Sequence, residues 1–118
     1  MAFAGTTGPL NPGEQRTVSM DFTDDLKPGD AVASVTSAVV SVASTSKGTD
    51  ANAAAIPFSP PVIQGNVVMQ TLGQLASAPG APAGVLQGNV LYVWAVTVLT
   101  LNGETLVGFL HIPCNAIA

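Results

Sequence analysis

Four aspartates lie close together near the start of the chain, and they are the first residues whose type and spacing could do chemistry. They are Asp21, Asp24, Asp25 and Asp30. Several carboxylate oxygens on one loop can bind calcium, but the spacing of an EF-hand, with its central glycine and terminal glutamate, is absent. We expect these carboxylates mainly to cap, to form turns and to keep the segment hydrated, with a bound cation as the alternative.

The single histidine, His111, and the single cysteine, Cys114, are the other candidates for catalysis or metal binding. In a β-strand, residues three positions apart point to opposite faces, so a nucleophile–base pair is not expected. One cysteine and one histidine also fall short of a zinc site. The sequence contains no phosphate-binding loop, dinucleotide fingerprint or nucleophile elbow. We therefore predict no catalytic residue, no metal and no cofactor.

Charged residues make up only 8% of the 118 residues, whereas hydrophobic residues make up 47%. An average domain has about 25% charged residues, so this surface must be covered by small polar residues or by other subunits. The net charge is −4, and the three cations, Arg16, Lys27 and Lys47, are scattered. Nucleic acids and anionic membranes are bound by clustered Lys and Arg, so neither partner is expected.

The first fourteen residues are rich in glycine, proline and threonine, without a positive region or a continuous apolar block. This is not the pattern of a signal peptide. The longest apolar run, residues 90–101, is shorter than the roughly 18 residues that cross a bilayer as a helix. We expect a protein that folds in the cytoplasm, with residues 1–14 as an extended arm and residues 15–118 as one domain.

Short segments of strand character, separated by Gly/Pro segments, predict an all-β fold. Residues 17–22 alternate between apolar and polar types, residues 31–42 are rich in Val, Ser and Thr, and residues 63–72 form a further strand. Residues 48–61 and 73–88 are predicted to be long Gly/Pro loops. Thr23 is a permissible N-cap for one helical turn before the turn at Pro28 and Gly29. The pattern favours an antiparallel β-sandwich or a β-barrel.

The last thirty residues predict a hairpin, with strands at 89–101 and 104–112 joined by Asn102 and Gly103. Such a dipeptide is the strongest short-range hairpin signal. A two-residue loop would pair Trp94 with His111 and Val96 with Phe109 on one face, and Leu99 with Leu106 on the other. Both faces would then be largely apolar, whereas a sheet with one wet face alternates. The second face should be covered, either by the chain's own loops or by another subunit.

Eight residues are candidate contacts to other subunits. Two lie in the arm, two in the first loop and four in the terminal hairpin: Phe3, Leu10, Pro57, Phe58, Trp94, Val96, Phe109 and His111. Tryptophan dominates interface hot spots, but Trp94 and Tyr92 share a face of a predicted strand and can equally belong to the core.

The order of these features resembles a family of tailed-phage structural proteins with immunoglobulin-like folds, often described as fibre-tail adaptors. The resemblance rests on residues spread over most of the chain: Asn11-Pro12-Gly13-Glu14, Val18-Ser19-Met20-Asp21-Phe22, Leu26, Gly29-Asp30-Ala31-Val32, Gln70, Leu72, Tyr92, Val98 to Thr100, Gly103, Leu106 and Ile112-Pro113. It implies an immunoglobulin-like β-sandwich, a place in the virion after assembly in the host cytoplasm, many copies per particle and no catalytic residue. A tryptophan of the second strand, expected within 36–40, is missing, and the loop 77–88 is longer than usual.

Four functions remain open at this point. The first is a structural adaptor or attachment module of the phage tail, homo-oligomeric in the particle, with other tail, fibre or capsid subunits as partners. A capsid decoration protein at the seams between head subunits is the alternative. A cell-wall hydrolase would need convergent titratable groups, and a lectin-like module would need exposed aromatic residues, of which the sequence offers few.

Overall fold

A computed structural model describes residues 2–6, 10, 15–50, 53–57, 59–73 and 88–114 of the chain, which form an all-β sandwich. The strands are β1 (Ala2–Thr6), β2 (Arg16–Asp21), β3 (Val32–Val42), β4 (Val62–Gln64), β5 (Val67–Leu72), β6 (Leu91–Thr100) and β7 (Thr105–Pro113). Two short 3-10 turns, Thr23–Asp25 and Ala53–Ala55, lie in the connections. One sheet has the order β1-β7-β6-β3 and the other the order β2-β5-β4.

The core lies between the two sheets, where the alternation of the strands turns one face of each inward. In β6, every second residue from Tyr92 to Val98 is fully buried. The opposite sheet contributes Met20 and Val68, and Phe22 follows directly after β2 with no exposed surface. Alternation of this kind is what a strand with one buried face produces, and it confirms the all-β fold expected from the sequence.

The predicted strand at 63–72 is two strands. Gln64 pairs with Val67, so β4 and β5 form a hairpin with Gly65 and Asn66 as its two-residue loop. Gly65 has a φ of 61°, which glycine adopts without strain. The Asn66 side chain also accepts a hydrogen bond from the Val32 N–H at 3.1 Å, which ties this turn to the start of β3.

The register of the terminal hairpin differs by one residue from the prediction. Leu99 pairs with Thr105 and Trp94 with Leu110, because the loop has three residues, 101–103. The Gly103 N–H donates to the Thr100 carbonyl at 3.0 Å, and Gly103 has a φ of 86°. A turn followed by a left-handed glycine is the usual three-residue hairpin loop. A one-residue shift moves side chains to the opposite face of their partner strand, so the predicted pairs were wrong.

Within the predicted arm, the backbone of residues 2–6 forms β1 and pairs with β7 in parallel. Further along, Leu10 bridges to Cys114, and its N–H donates to the Pro113 carbonyl at 2.9 Å. The sheet is therefore mixed, because β6 pairs antiparallel with β7 on its other side.

The predicted loop 48–61 contributes to the core where the structure describes it. Ile56 is fully buried, and its carbonyl accepts a hydrogen bond from the Gly73 N–H at 2.7 Å. Asp50 accepts a hydrogen bond from the Tyr92 hydroxyl at 2.7 Å. The second predicted loop lies almost wholly outside the described residues, which resume at residue 88.

Candidate docking surface

The side of the four-stranded sheet that points away from the core carries large apolar side chains in solvent. We call the outward-facing residues of β3, β6 and β7 the outer face. Val39 is 53% exposed, Leu99 39% and Phe109 37%. Large apolar groups that cluster on a surface mark sites of contact with other molecules, so the outer face is the candidate functional surface.

The centre of the outer face is one row across three strands. Val39 pairs with Ala95, and Ala95 pairs with Phe109, which places three apolar residues side by side. Adjacent strands are about 4.8 Å apart, so the three side chains form a continuous patch. The next row on one side contains Val93 and His111, which are half-buried.

The four strands of this sheet contain no Asp, Glu, Lys or Arg. Edge strands usually carry charges, prolines or bulges that prevent pairing with another sheet. In β3, an edge of the sheet, only bulges are present, with register shifts between Val32 and Ser34 and between Val35 and Ser37. The edge is thus protected by its shape, while the face beside it has no formal charge to keep it hydrated.

Four of the eight candidate contact residues lie in the hairpin, and the corrected register separates them into two pairs. Trp94 and Val96 point inward and are fully buried, so they belong to the core and not to an outer docking surface. Phe109 and His111 point outward. The cause is the extra loop residue, which pairs Val96 with Gly108 instead of Phe109.

The other four candidates lie in the arm and the first loop. Leu10 is only 3% exposed and packs in the core cluster, which corrects its assignment to a free contact surface. Pro57 is half-buried and bridges to Leu72 of β5. The backbone of Phe3 pairs with Gly108. Phe58 lies outside the described residues.

The aspartate cluster acts through hydrogen bonds to neighbouring turns. Asp21 Oδ1 accepts from the Thr23 hydroxyl at 2.6 Å and from the Thr23 N–H at 2.9 Å, and these bonds lower the pKa of Asp21. Phe22 is at the N-cap position and Thr23 lies inside the turn, so the predicted Thr23 cap was wrong. Among the described residues, no three acidic, histidine or cysteine side chains are grouped to hold a metal ion.

Asp30 fixes the loop of the β6–β7 hairpin. Its Oδ1 accepts from the Ala31 N–H at 2.8 Å and from the Asn102 N–H at 3.1 Å. Burial raises the pKa of Asp30, but hydrogen bonds from Thr100, Ala31, Asn102 and Leu101 outweigh burial and leave that pKa below its ordinary value. The carboxylate therefore stabilises the three-residue loop, and with it the register that exposes Phe109.

Lys27 and Glu104 form an ion pair beside this loop, with their charged atoms 2.9 Å apart. The hydrogen bond and the charge of Glu104 raise the pKa of Lys27. Exposed pairs of this kind contribute little to stability. Their position matters more, because charge is placed at the end of the sandwich and away from the outer face.

We expect the substitution Asp30→Asn to lower the melting temperature at pH 7 and to flatten its dependence on pH. A carboxylate whose pKa is lowered on folding stabilises the protein above its ordinary pKa of about 3.9, and that contribution is lost as pH falls through the lowered value. Melting curves from pH 2 to 7 would measure this. Asp24→Asn removes the same charge from an exposed turn and should leave the melting temperature at pH 7 unchanged; an equal loss there would refute a specific role for Asp30.

Val39 and Leu99 are outer-face residues that sequence reasoning missed. The predicted register placed Leu99 opposite Leu106 on one face, whereas Leu106 is buried and Leu99 is exposed. For Val39, alternation within 31–42 was a usable signal, but the two bulges in β3 interrupt it.

His111 lies in β7 and Cys114 directly after it, and the two side chains are on opposite sides of the sheet, as the spacing predicted. Cys114 is a buried thiol, and His111 is half-buried on the outer face.

No helix in the described part of the chain has the length and apolar character to cross a membrane. No protein-family model, curated protein or solved structure significantly matches the chain.

Proposed function

We propose that the chain is a non-catalytic structural subunit of a tailed-phage virion, a tail or fibre adaptor that docks onto other subunits through its outer face. The observation that carries the proposal is the uncharged outer face, with Val39, Leu99 and Phe109 in solvent. Burial of apolar area is the main driving force of such contacts, at about 25 cal/mol per Å².

The strand order supports the immunoglobulin-like part of this proposal. In immunoglobulin-type sandwiches, one sheet holds strands C, F and G, and the other holds B, E and D. Here β3, β6 and β7 occupy the first set of places, and β2, β5 and β4 the second. Tyr92 lies near the start of β6, which takes the place of strand F. Many immunoglobulin-like domains have a tyrosine at this position, where the chain enters strand F.

The size of the outer face sets what the partner must supply. Three strands about 4.8 Å apart and roughly ten residues long present about 500 Å². A standard protein interface buries roughly 800 Å² per partner. Docking through the outer face therefore needs a further contact, and the N-terminal segment beside β7 lies at the edge of the same sheet.

Two of the four clustered aspartates, Asp21 and Asp30, have structural partners. Asp21 holds Thr23, and Asp30 holds the hairpin loop. His111 in β7 and Cys114 directly after it lie on opposite sides of the sheet. These arrangements favour a binding role over acid–base or nucleophilic chemistry, and they agree with the structural role that the family resemblance implies.

The substitution Phe109→Asp tests the outer face. We expect the variant to fold with nearly the melting temperature of the parent, because the side chain is 37% exposed, and to lose self-association in light scattering over a range of concentrations. Thr105→Asp places the same charge at the exposed end of the same face, beside the hairpin loop, and should reduce association less. A Phe109→Asp variant that unfolds would show that the outer face is core.

The virion assignment has its own test. Mass spectrometry of purified particles should find the chain in many copies in phage produced by the cell that encodes it. A trimer in solution would favour the capsid decoration role, and a larger ring would favour the tail. A chain absent from the particles would refute the assignment.

A further inference from the structure

Residues 2–6 and Leu10 of the N-terminal segment pair with the edge of β7 that β6 leaves free. We call the backbone of residues 107–114, on the side away from β6, the β7 edge. Ala2 to Thr6 pair with residues 107–111, one by one and in parallel. Leu10 then bridges to Cys114, at the end of this edge. Without this segment, a row of N–H and C=O groups would be unpaired there.

Recognition along this edge combines main-chain pairing with one buried anchor. Leu10 is 3% exposed and belongs to the core cluster, and its N–H donates to the Pro113 carbonyl at 2.9 Å. Addition of a strand to a sheet edge works in this way, with main-chain hydrogen bonds for affinity and a side-chain pocket for specificity. Residues 2–10 contain no charged residue, which matches the uncharged sheet that they extend.

The connection to the rest of the domain is short and allows the segment to reach a neighbour. Residues 11–14, with Pro12 and Gly13, join Leu10 to Gln15. Gln15 is held at the other sheet by a hydrogen bond from its Nε2 to the Gly73 carbonyl at 3.3 Å. Five residue steps span at most about 17 Å, whereas packed sheets are about 10 Å apart. The connection can therefore reach the β7 edge of its own domain or that of a domain in direct contact.

We propose that the β7 edge binds residues 2–10 of a second copy of the chain, so that copies packed together exchange their N-terminal strands. The contacts within one chain and between two chains are the same, as in any exchange of an identical element. The balance is set by concentration, because a short connection gives an effective concentration on the order of 1 mM. Dilute chains keep their own strand, and chains crowded in an assembly exchange it.

The strand exchange can be trapped with a disulfide. Thr6 and His111 are direct partners across the pair, and paired residues on adjacent strands are about 4.8 Å apart, within the range for a disulfide. Both variants, Thr6→Cys and His111→Cys, carry Cys114→Ala, which leaves one cysteine per chain. The two full-length variants are unfolded together in urea, refolded by dilution to about 10 µM or about 1 mM total chain, and oxidised.

We expect a disulfide-linked dimer of the two variants at the high concentration and little at the low one. The matched control pairs Thr6→Cys with Thr105→Cys, a position exposed on the same face but six residues from His111 along β7. The doubly substituted chain, Thr6→Cys with His111→Cys, should close an internal disulfide at low concentration.

Mixed dimers no more abundant than in the control pair would overturn the proposal, as would failure of the double variant to close internally. The inference does not rest on docking through the outer face, since Val39, Leu99 and Phe109, the exposed residues that carry that proposal, are unchanged in every variant. Loss of exchange and loss of outer-face docking are therefore separate results.

Discussion

Replacement of Trp94 by alanine should lower the free energy of unfolding by about 3–5 kcal/mol, which is the usual cost of removing a buried tryptophan. Trp94 is the largest fully buried side chain, and it lies between the two sheets at the centre of β6. Small domains are stable by only about 5–15 kcal/mol, so the loss should be a large fraction of the total stability. Urea unfolding followed by circular dichroism would measure the change.

A milder substitution separates the packing of Trp94 from its hydrogen bond. The indole Nε1–H donates to Gln70 Oε1 at 2.8 Å, and Gln70 Nε2 donates to the Ser59 carbonyl at 2.9 Å. Because Gln70 is buried, Trp94→Phe should lower the free energy of unfolding by about 1–3 kcal/mol, since Gln70 Oε1 is left without a donor. Gln70→Leu should have a similar cost, because it leaves the buried indole N–H of Trp94 without an acceptor. In the double variant the two losses should not add; simple additivity would contradict the pairing.

The second large effect is expected at Gly108, a glycine of β7 that packs against Met20 and Phe22 of the facing side of the core. A Cβ atom added to Gly108 would overlap Met20 Sδ and lie 3.3 Å from Phe22 Cζ. Extra volume in a packed core usually costs about 1–3 kcal/mol. We therefore expect Gly108→Ala to lower stability by that amount and Gly108→Val to lower it further, measured by urea unfolding.

The effect of Gly108→Ala on the free energy of unfolding should change sign when Met20 is replaced by alanine. Met20→Ala removes the side chain that occupies the space beside Gly108 and should cost about 2–5 kcal/mol. In that background, Gly108→Ala fills part of the cavity and should be neutral or stabilising. If Gly108→Ala is equally harmful in both backgrounds, its effect comes from strand conformation and not from contact with Met20.

The sequence carried enough information to predict most strands. The alternation at 17–22 places β2 within one residue, and the β-branched segment at 31–42 matches β3. Gly65 and Asn66 were also a readable hairpin signal, but the apolar residues on both sides suggested one continuous strand. Hydrophobic pattern thus predicted which segments are extended better than it predicted where they turn.

Register and pairing were harder to predict because they depend on atoms distant in the sequence. The loop at Asn102 and Gly103 has three residues because Thr100 closes it and Asp30 accepts the Asn102 N–H. Parallel pairing of β1 rests on main-chain bonds that leave no side-chain pattern. Gly108 did carry a signal, since a glycine inside a strand often marks a close approach, but only the fold reveals that Met20 is the neighbour.

A sheet without formal charges also determines how an assembly built on it responds to its surroundings. Salt screens charged contacts, so association through the outer face should differ little between dilute buffer and molar salt. Apolar contacts weaken on cooling and bind with a negative heat-capacity change. Association through the outer face should therefore weaken on cooling but persist at high salt. Temperature, more than ionic strength, should control whether the assembly forms.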